Sequence, residues 1–162
     1  MTDNSEAPGT LAVFLSFAVA MILRIVPLKP SWSIFNPDWV ALMLLFWTLS
    51  LPPRVGVLRA WMIGLIADAL TGRLMGQHAL AYGVMVYLSL RGKASITVLR
   101  KPVQALWVLG LLMIGQLIIL WTEHQALPAG MELAYWYPSL TGSLIWPLLV
   151  WMMDRHDTRS IS

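Results

Sequence analysis

Long apolar stretches alternate along the chain with short segments rich in proline, glycine or basic residues. We predict six helices from these stretches, over residues 10–26, 37–51, 55–70, 77–90, 103–122 and 133–153. A helix rises about 1.5 Å per residue and the bilayer core is about 30 Å thick, so the last two can cross it, whereas the middle three reach only about 20 to 25 Å. The pattern predicts an all-α integral membrane protein, a single polytopic domain over 1–162 with about six short transmembrane helices.

The second and third blocks allow an alternative, a re-entrant hairpin with Pro52, Pro53 and Arg54 at a tip buried in the membrane. An arginine at the membrane centre costs at least about 2.5 kcal/mol. We therefore favour two full spans in a locally thinned bilayer, with Arg54 at the surface.

Local sequence signals mark both ends of the second helix. Asn36 offers a capping amide, Pro37 suits the first helical position, and Asp38 places an acid in the first turn. Pro52 disfavours helical geometry at Leu51, which predicts the end of this helix there.

Composition agrees with a membrane protein. Apolar residues make up 58% of the chain and charged residues 12%, against about 25% charged in a typical soluble domain. The pI of 9.6 does not indicate a nucleic-acid partner, because the basic residues lie between apolar blocks rather than in a patch with aromatic residues. The chain contains no cysteine, which excludes disulfides and thiol catalysis.

The distribution of Lys and Arg predicts the orientation. Six spans place both termini on one side, and eight of the eleven basic residues fall on that side: Arg54, Arg59, Arg91, Lys93, Arg100, Lys101, Arg155 and Arg159. Three fall on the other: Arg24, Lys29 and Arg73. Because basic residues concentrate in cytoplasmic loops, we predict that both termini lie in the cytoplasm.

Asp68 is the strongest candidate for a functional side chain, because it lies in an otherwise apolar helix. Small residues surround it at intervals of four in the series Ala60, Gly64, Asp68, Gly72 and Gly76, which forms a face that a second helix can approach closely. Three interpretations remain open: a structural or interface-organising role, a ligand or proton site, and a solvated helix end. In the structural case, a neighbouring helix or the turn at 71–73 would supply the hydrogen-bond donors.

The other polar residues favour structure over chemistry. Asp68, His78, Glu123 and His124 resemble a metal cluster only loosely, since no histidine has an i, i+4 partner, and we expect no metal. We expect the groups at outer helix ends to reach the headgroups or to pair with one another.

Gln104 and Gln116 are expected to bond neighbouring helices, as buried amides in membrane helices commonly do. The second helix is apolar on all sides, and we assign Leu42 to its lipid-facing side. No nucleophile elbow or phosphate-binding loop occurs in the sequence, so we expect no catalytic residue and no cofactor.

Four segments carry a resemblance to a known family: 35–47, 51–55, 64–68 and 72–76. They resemble the rod shape-determining protein MreD of the proteobacterial type, and the likeness extends from the first helix to the last. The family pattern falls on positions that would determine shape or interfaces rather than form an active site: Phe35, Pro37, Trp39, Pro52, Arg54, Gly64, Asp68, Gly72 and Gly76.

The resemblance implies a non-catalytic scaffold of the cell-elongation complex in the bacterial inner membrane, required for rod shape and lateral peptidoglycan synthesis. Its implied partner is an MreC-like bitopic protein, and indirectly the MreB filament and the peptidoglycan polymerase and transpeptidase.

The helix pattern is also similar to the substrate-binding subunits of energy-coupling-factor transporters, so a small-ligand-binding transport subunit is the alternative. An intramembrane enzyme is a third hypothesis. A transport subunit should have an outward-facing cavity with convergent polar groups. The sequence offers few such groups on that side: Asp68, His78, Glu123, His124 and Glu132.

Overall fold

The computed structural model describes residues 9–51, 55–123 and 133–157. Its helices are α1 (Gly9–Ile25), α2 (Pro30–Ser33), α3 (Trp39–Ser50), α4 (Val57–Thr71), α5 (Gln77–Thr97), α6 (Lys101–Glu123), a 3-10 turn (Ala134–Trp136) and α7 (Tyr137–Asp157). These segments contain no strand, which confirms the all-α fold class. The six long helices correspond to the six predicted blocks.

The helix α3 begins two residues later than predicted and uses a different cap. The Asp38 carboxylate accepts a hydrogen bond from the Ala41 backbone N–H at 3.1 Å. The prediction that Asn36 caps this helix was wrong, because its side-chain oxygen instead accepts the Trp39 indole N–H at 2.8 Å. A charged acceptor forms the stronger bond to a backbone donor at this position.

The helix α5 continues to Thr97, well past the apolar block that ends at residue 90. The intervening segment contains no proline, so the helix carries Arg91 and Lys93 on its last turns. The next proline, Pro102, lies in the first turn of α6, where a missing N–H removes no helical bond.

Gln104 forms hydrogen bonds to the connection between α5 and α6. Its buried side-chain amide donates to the Ile96 and Leu99 carbonyls, each at 3.1 Å. Gln116 bonds the next element in the chain, since its amide donates to the Tyr135 carbonyl at 2.8 Å. Both glutamines thus bond a neighbouring helix, Gln104 through Ile96 of α5 and Gln116 through Ser139 of α7, as predicted.

The centre of the molecule is α3, whose residues 40–48 are all buried among α1, α5 and α7. The assignment of Leu42 to a lipid-facing side was wrong, because its side chain is 0% exposed. A helix that is apolar on every side has no polar stripe to reveal its orientation, and complete burial explains that composition. Trp47 is also buried and donates its indole N–H to the Ser16 hydroxyl at 2.8 Å.

The periphery of the helix bundle is apolar. Phe14 on α1 and Leu144 on α7 are 69% and 78% exposed, which suits contact with lipid tails. Within the described segments, Lys101–Glu123 is the one helix that clearly meets the length and hydropathy expected of a membrane span. Leu11–Ile25 and Trp39–Ser50 are apolar but shorter.

The small-residue face of α4 packs directly on α5. A Cβ atom at Gly64 would lie 2.4 Å from the Ala79 Cα and 2.7 Å from the His78 carbonyl carbon. Such distances are far below van der Waals contact, so only glycine allows the two backbones to meet here. This chain itself covers the face formed by Ala60, Gly64 and Asp68.

Candidate functional site

Asp68 lies near the end of α4 and caps the neighbouring helix α5. Its carboxylate accepts the Gly76 N–H at 2.8 Å, the His78 N–H at 3.0 Å and the His78 ring Nδ1–H at 2.6 Å. Gly76 has no side chain to cap the helix, so the first N–H groups of α5 take their acceptor from α4. Asp68 is fully buried, so the solvated-helix-end interpretation was wrong.

The turn between α4 and α5 depends on two glycines in left-handed conformations. Gly72 has φ +64° and Gly76 has φ +107°, values that L side chains rarely adopt. The backbone N–H groups of Gly72 and Arg73 donate to the Asp68 carbonyl, the latter at 3.2 Å. The Asp68 carbonyl therefore accepts hydrogen bonds from the turn, while the Asp68 carboxylate accepts hydrogen bonds from the start of α5.

The bonds of Asp68 continue into α1 and α3. Arg24 donates one N–H to His78 Nε2, and its guanidinium lies 2.9 Å from the Asp38 carboxylate. Tyr82 accepts a bond from Arg24 at 3.0 Å and donates to Asp38 at 2.7 Å. We call these five residues the polar network. It links α1, the start of α3, α4 and α5.

The partners of His78 define its tautomer. Its Nδ1 faces the Asp68 carboxylate and must donate, while its Nε2 faces an Arg24 N–H and must accept. The ring is therefore a neutral imidazole that lies between the Asp68 carboxylate and the Arg24 guanidinium.

A cavity of about 620 Å³ lies beside the polar network, and we call it the large cavity. Arg24, Asp38, His78 and Tyr82 line one side of it. On another side, Gln116 of α6 accepts a hydrogen bond from Ser139 of α7. Met85 and Leu112 add apolar surface. Small-molecule sites commonly have about this volume and this mixture of groups.

Arg73 also lines the large cavity and forms an ion pair with Glu123. The two side chains are 44% and 26% exposed, so solvent reaches the pair. The prediction that polar groups at this end pair with one another is confirmed for these two and for Arg24 with His78. In the described part of the chain, no group of three or more potential metal ligands lies close together. His124 and Glu132 fall outside it.

The comparisons with known proteins agree on one family. The model of the family described as rod shape-determining protein MreD matches residues 6–154, nearly the whole chain. The chain belongs to the MreD family.

A curated relative supports the assignment: the rod shape-determining protein MreD of Haemophilus influenzae is 26% identical over 139 residues, which cover 86% of each chain. No solved structure matches the chain, so the expected likeness to energy-coupling-factor subunits has no support from that comparison. Membership of the MreD family implies a membrane protein with a role in rod shape determination.

Two further family positions of this MreD-family chain, Phe35 and Pro37, lie against α7. Phe35 stacks on Tyr137 at the start of α7, with ring centroids 5.2 Å apart. Pro37 is buried, and a Cβ atom at Gly142 of α7 would lie 3.6 Å from its Cβ. The two residues join the segment before α3 to α7. Pro52 and Arg54 lie outside the described residues.

Sequence reasoning missed most of the polar network and the large cavity. Arg24 was recognised only as a group at a helix end, and Asp38 only as a first-turn acid. Their opposite charges at outer helix ends were an available signal for pairing. Tyr82 carried no signal, because a tyrosine in an apolar helix is equally typical of a membrane interface.

Proposed function

We propose that this chain is a non-catalytic, multi-pass scaffold of the cell-elongation complex. In this role it binds an MreC-like bitopic protein, and through it acts on the MreB filament and on the peptidoglycan polymerase and transpeptidase of the lateral wall. The family role in rod shape supports the proposal.

The observation that carries the proposal is that the polar network is bonded internally. Asp68 and His78, the ionisable pair best suited to chemistry, are occupied by the start of α5 and by Arg24. Arg24 Nε is buried without a partner among the described residues, but the side chains of the network otherwise bond one another, and such a network makes a framework rigid and specific. A scaffold needs such a framework, because its partners recognise a fixed outer surface.

The proposed topology has six spans with both termini in the cytoplasm. The contacts of the polar network and the large cavity place the ends of α1, α4 and α6 beside the starts of α3, α5 and α7. Successive long helices therefore alternate in direction, which supports a multi-pass arrangement. The distribution of basic residues supplies the orientation.

Co-purification from native membranes tests the scaffold proposal. The tagged chain should recover an MreC-like bitopic protein in constant proportion, and depletion of the chain should round the cells. An inner-membrane protein of similar abundance, tagged in the same way, is the control. Recovery of the chain alone from rod-shaped cells would contradict the proposal.

The large cavity favours a second candidate function, the binding of a small ligand. Thermal unfolding of the detergent-purified chain, measured with a panel of water-soluble vitamins and nucleosides, tests it, because a ligand that binds the native state raises the midpoint. Ala81 lines the cavity and is fully buried, so Ala81→Phe should fill the space and abolish the response. A compound that stabilises the wild type but not this variant would favour a transport subunit.

A further inference from the structure

The imidazole of His78 is the member of the polar network whose hydrogen-bonding role changes when it takes up a proton. Its Nδ1–H donates to the Asp68 carboxylate, and its Nε2 accepts an N–H of Arg24. The His78 side chain is 3% exposed, so these two partners rather than water satisfy the ring. The bond between Arg24 and His78 therefore exists only while Nε2 carries no proton.

The guanidinium of Arg24 cannot adapt to a protonated ring. An arginine side chain has donors only, and a protonated Nε2 is a donor as well. Both groups then carry a positive charge at hydrogen-bond distance. Protonation of Nε2 therefore breaks this bond, whereas the bond from Nδ1 to Asp68 becomes charged on both sides and is strengthened.

Charged and titratable groups of the described chain face His78 from several elements. Arg24 approaches it from α1 and Asp68 from α4. Asp38, at the start of α3, bonds Arg24 and also Tyr82 of α5, whose ring lies edge-on to His78 at 5.6 Å between centroids. The carboxylates of Asp38 and Asp68 balance the charges of Arg24 and of a protonated His78, so these four residues can accommodate the added proton.

The large cavity gives protons a route to the ring. His78 and Arg24 line this cavity, and so does Arg73, whose side chain is 44% exposed where it pairs with Glu123. Arg24 is the last residue but one of α1, and His78 is the second residue of α5. Both therefore lie at helix ends, where hydrocarbon gives way to water.

The effect of protonation falls on α1, because the contact between α4 and α5 does not involve Nε2. The backbones of α4 and α5 meet at Gly64, and the Asp68 carboxylate bonds the first N–H groups of α5. Within the polar network, α1 bonds α5 through Arg24 alone, to His78 and to Tyr82. Loss of the first bond leaves the end of α1 held to these side chains by one hydrogen bond instead of two.

We propose that His78 is an acid-sensitive switch that controls the contact between α1 and α5. With Nε2 unprotonated, Arg24 joins the two helices. With Nε2 protonated, Arg24 keeps its ion pair with Asp38, releases His78 and presents the freed N–H group to the large cavity. The proposal does not depend on the scaffold function.

Nitrogen-15 spectra of the full chain in detergent micelles test the proposal from about pH 8 to about pH 5, the range in which histidines commonly change charge. The chain has three histidines, so His78→Gln assigns the His78 ring, and Arg24→Lys assigns the Arg24 side chain. Acidification should convert Nε2 from an acceptor to an N–H donor, and the Arg24 signals should shift with the same midpoint. An Nε2 that stays unprotonated throughout this range would overturn the proposal.

His78→Gln also separates His78 from the carboxylates, which take up protons in acid as well. Glutamine does not titrate, so the Arg24 signals of this variant should stay in place over the same range. If they shift as in the wild type, a carboxylate is the titrating group and the proposal is wrong. If the variant does not fold, the wild-type spectra decide, because different midpoints for Nε2 and Arg24 would equally overturn the proposal.

Spin-label distances measure the effect on the helices, since the chain has no cysteine and labels can be placed in pairs. Labels at Leu23 of α1 and Leu80 of α5, which are 40% and 43% exposed, should show a broader distance distribution in acid. The control pair is Leu70 of α4 with Leu80, whose distribution should be unchanged. Equal broadening of both pairs, or of neither, would overturn the proposal.

Discussion

Asp68 shows how one side chain in this molecule organises several others. Its carboxylate serves three N–H groups at the start of α5, and it connects through His78 to Arg24 on α1. The two His78 donors are buried and the Gly76 donor is partly buried, so the loss of their shared acceptor leaves polar groups with little access to water. Asp68 is therefore the position at which structural and proton-transfer roles are best distinguished.

Asp68→Asn should lower the folded yield only partly and still support rod shape, whereas Asp68→Leu should cause a severe loss of folded protein. The amide keeps one acceptor oxygen for His78 but turns an N–H group toward the Gly76 N–H, which leaves one donor unsatisfied at about 1–3 kcal/mol. Leucine removes every acceptor. Folded yield in detergent and rod-shape complementation at matched membrane levels measure the effects. Equal loss of function in both variants, with normal folded yield, would indicate a proton-coupled role instead.

Gly76→Ala should destabilise the chain by about 1–3 kcal/mol, because an L side chain is strained at φ +107° even though its Cβ would meet no neighbour. Gly56→Ala is the matched control: Gly56 also precedes a helix and has open space at its Cβ, but its φ is −97°. Thermal unfolding of both purified variants measures the difference. Equal midpoints would show that the turn conformation is not constrained.

The pairing of α4 with α5 is the closest helix contact in the candidate site, and its chemistry suits a membrane. Helices in lipid associate through van der Waals fit and polar contacts, since lipid tails are as apolar as the helices. Gly64 supplies the fit and Asp68 the polar contacts, four residues apart on one face. The stripe seen in the sequence thus joins two helices of this chain.

Gly64→Ala should lower the yield of folded protein, because the added methyl group would lie 2.4–2.7 Å from the backbone of Ala79 and His78. Overpacking of this kind costs about 1–3 kcal/mol. Gly110→Ala is the control, since Gly110 also lies in a helix but has nothing within 4 Å of its Cβ position. It should be neutral or slightly stabilising. Size-exclusion profiles and thermal unfolding compare the two.

The Gly64→Ala protein could instead fold normally but no longer co-purify with the MreC-like protein. In that case the small-residue face of α4 binds the partner, and its contact with the partner rather than its contact with α5 is required for function.

Across the whole molecule, polar residues are sorted between two ends. One end has the polar network, the Arg73–Glu123 ion pair and the large cavity. The other end has the basic segment 91–101. An apolar bundle with α3 buried at its centre separates them. This arrangement matches the charge asymmetry that orients membrane proteins.

We therefore expect a fluorescent reporter that matures only in the cytoplasm to be active when fused after Ser162. The same fusion to alkaline phosphatase, which requires the periplasm, should be inactive. Replacing Arg91, Lys93, Arg100 and Lys101 together with Gln should reduce the bias, because four of the eight basic residues on that side are removed. A phosphatase that is active in the unmodified chain would reverse the proposed topology.

The sequence by itself indicated the six long helices, because apolar stretches and the placement of prolines are local properties of the chain. It did not indicate the short helix α2 or the extension of α5 to Thr97. It also indicated Asp68 and the glycine stripe as unusual, since a buried acid and a small-residue face break the apolar pattern. The family followed from the same segments, and the family comparison confirmed it.

Only the tertiary structure decided which residues meet. Leu42 and Leu144 are equally apolar in sequence, yet one is at the centre of the bundle and the other is exposed, because burial depends on how helices are arranged around each other. The polar network joins Arg24 to Tyr82, 58 residues away. Such contacts depend on helix order and rotation, which no local pattern encodes. The large cavity exists for the same reason, as a space left where the ends of several helices meet.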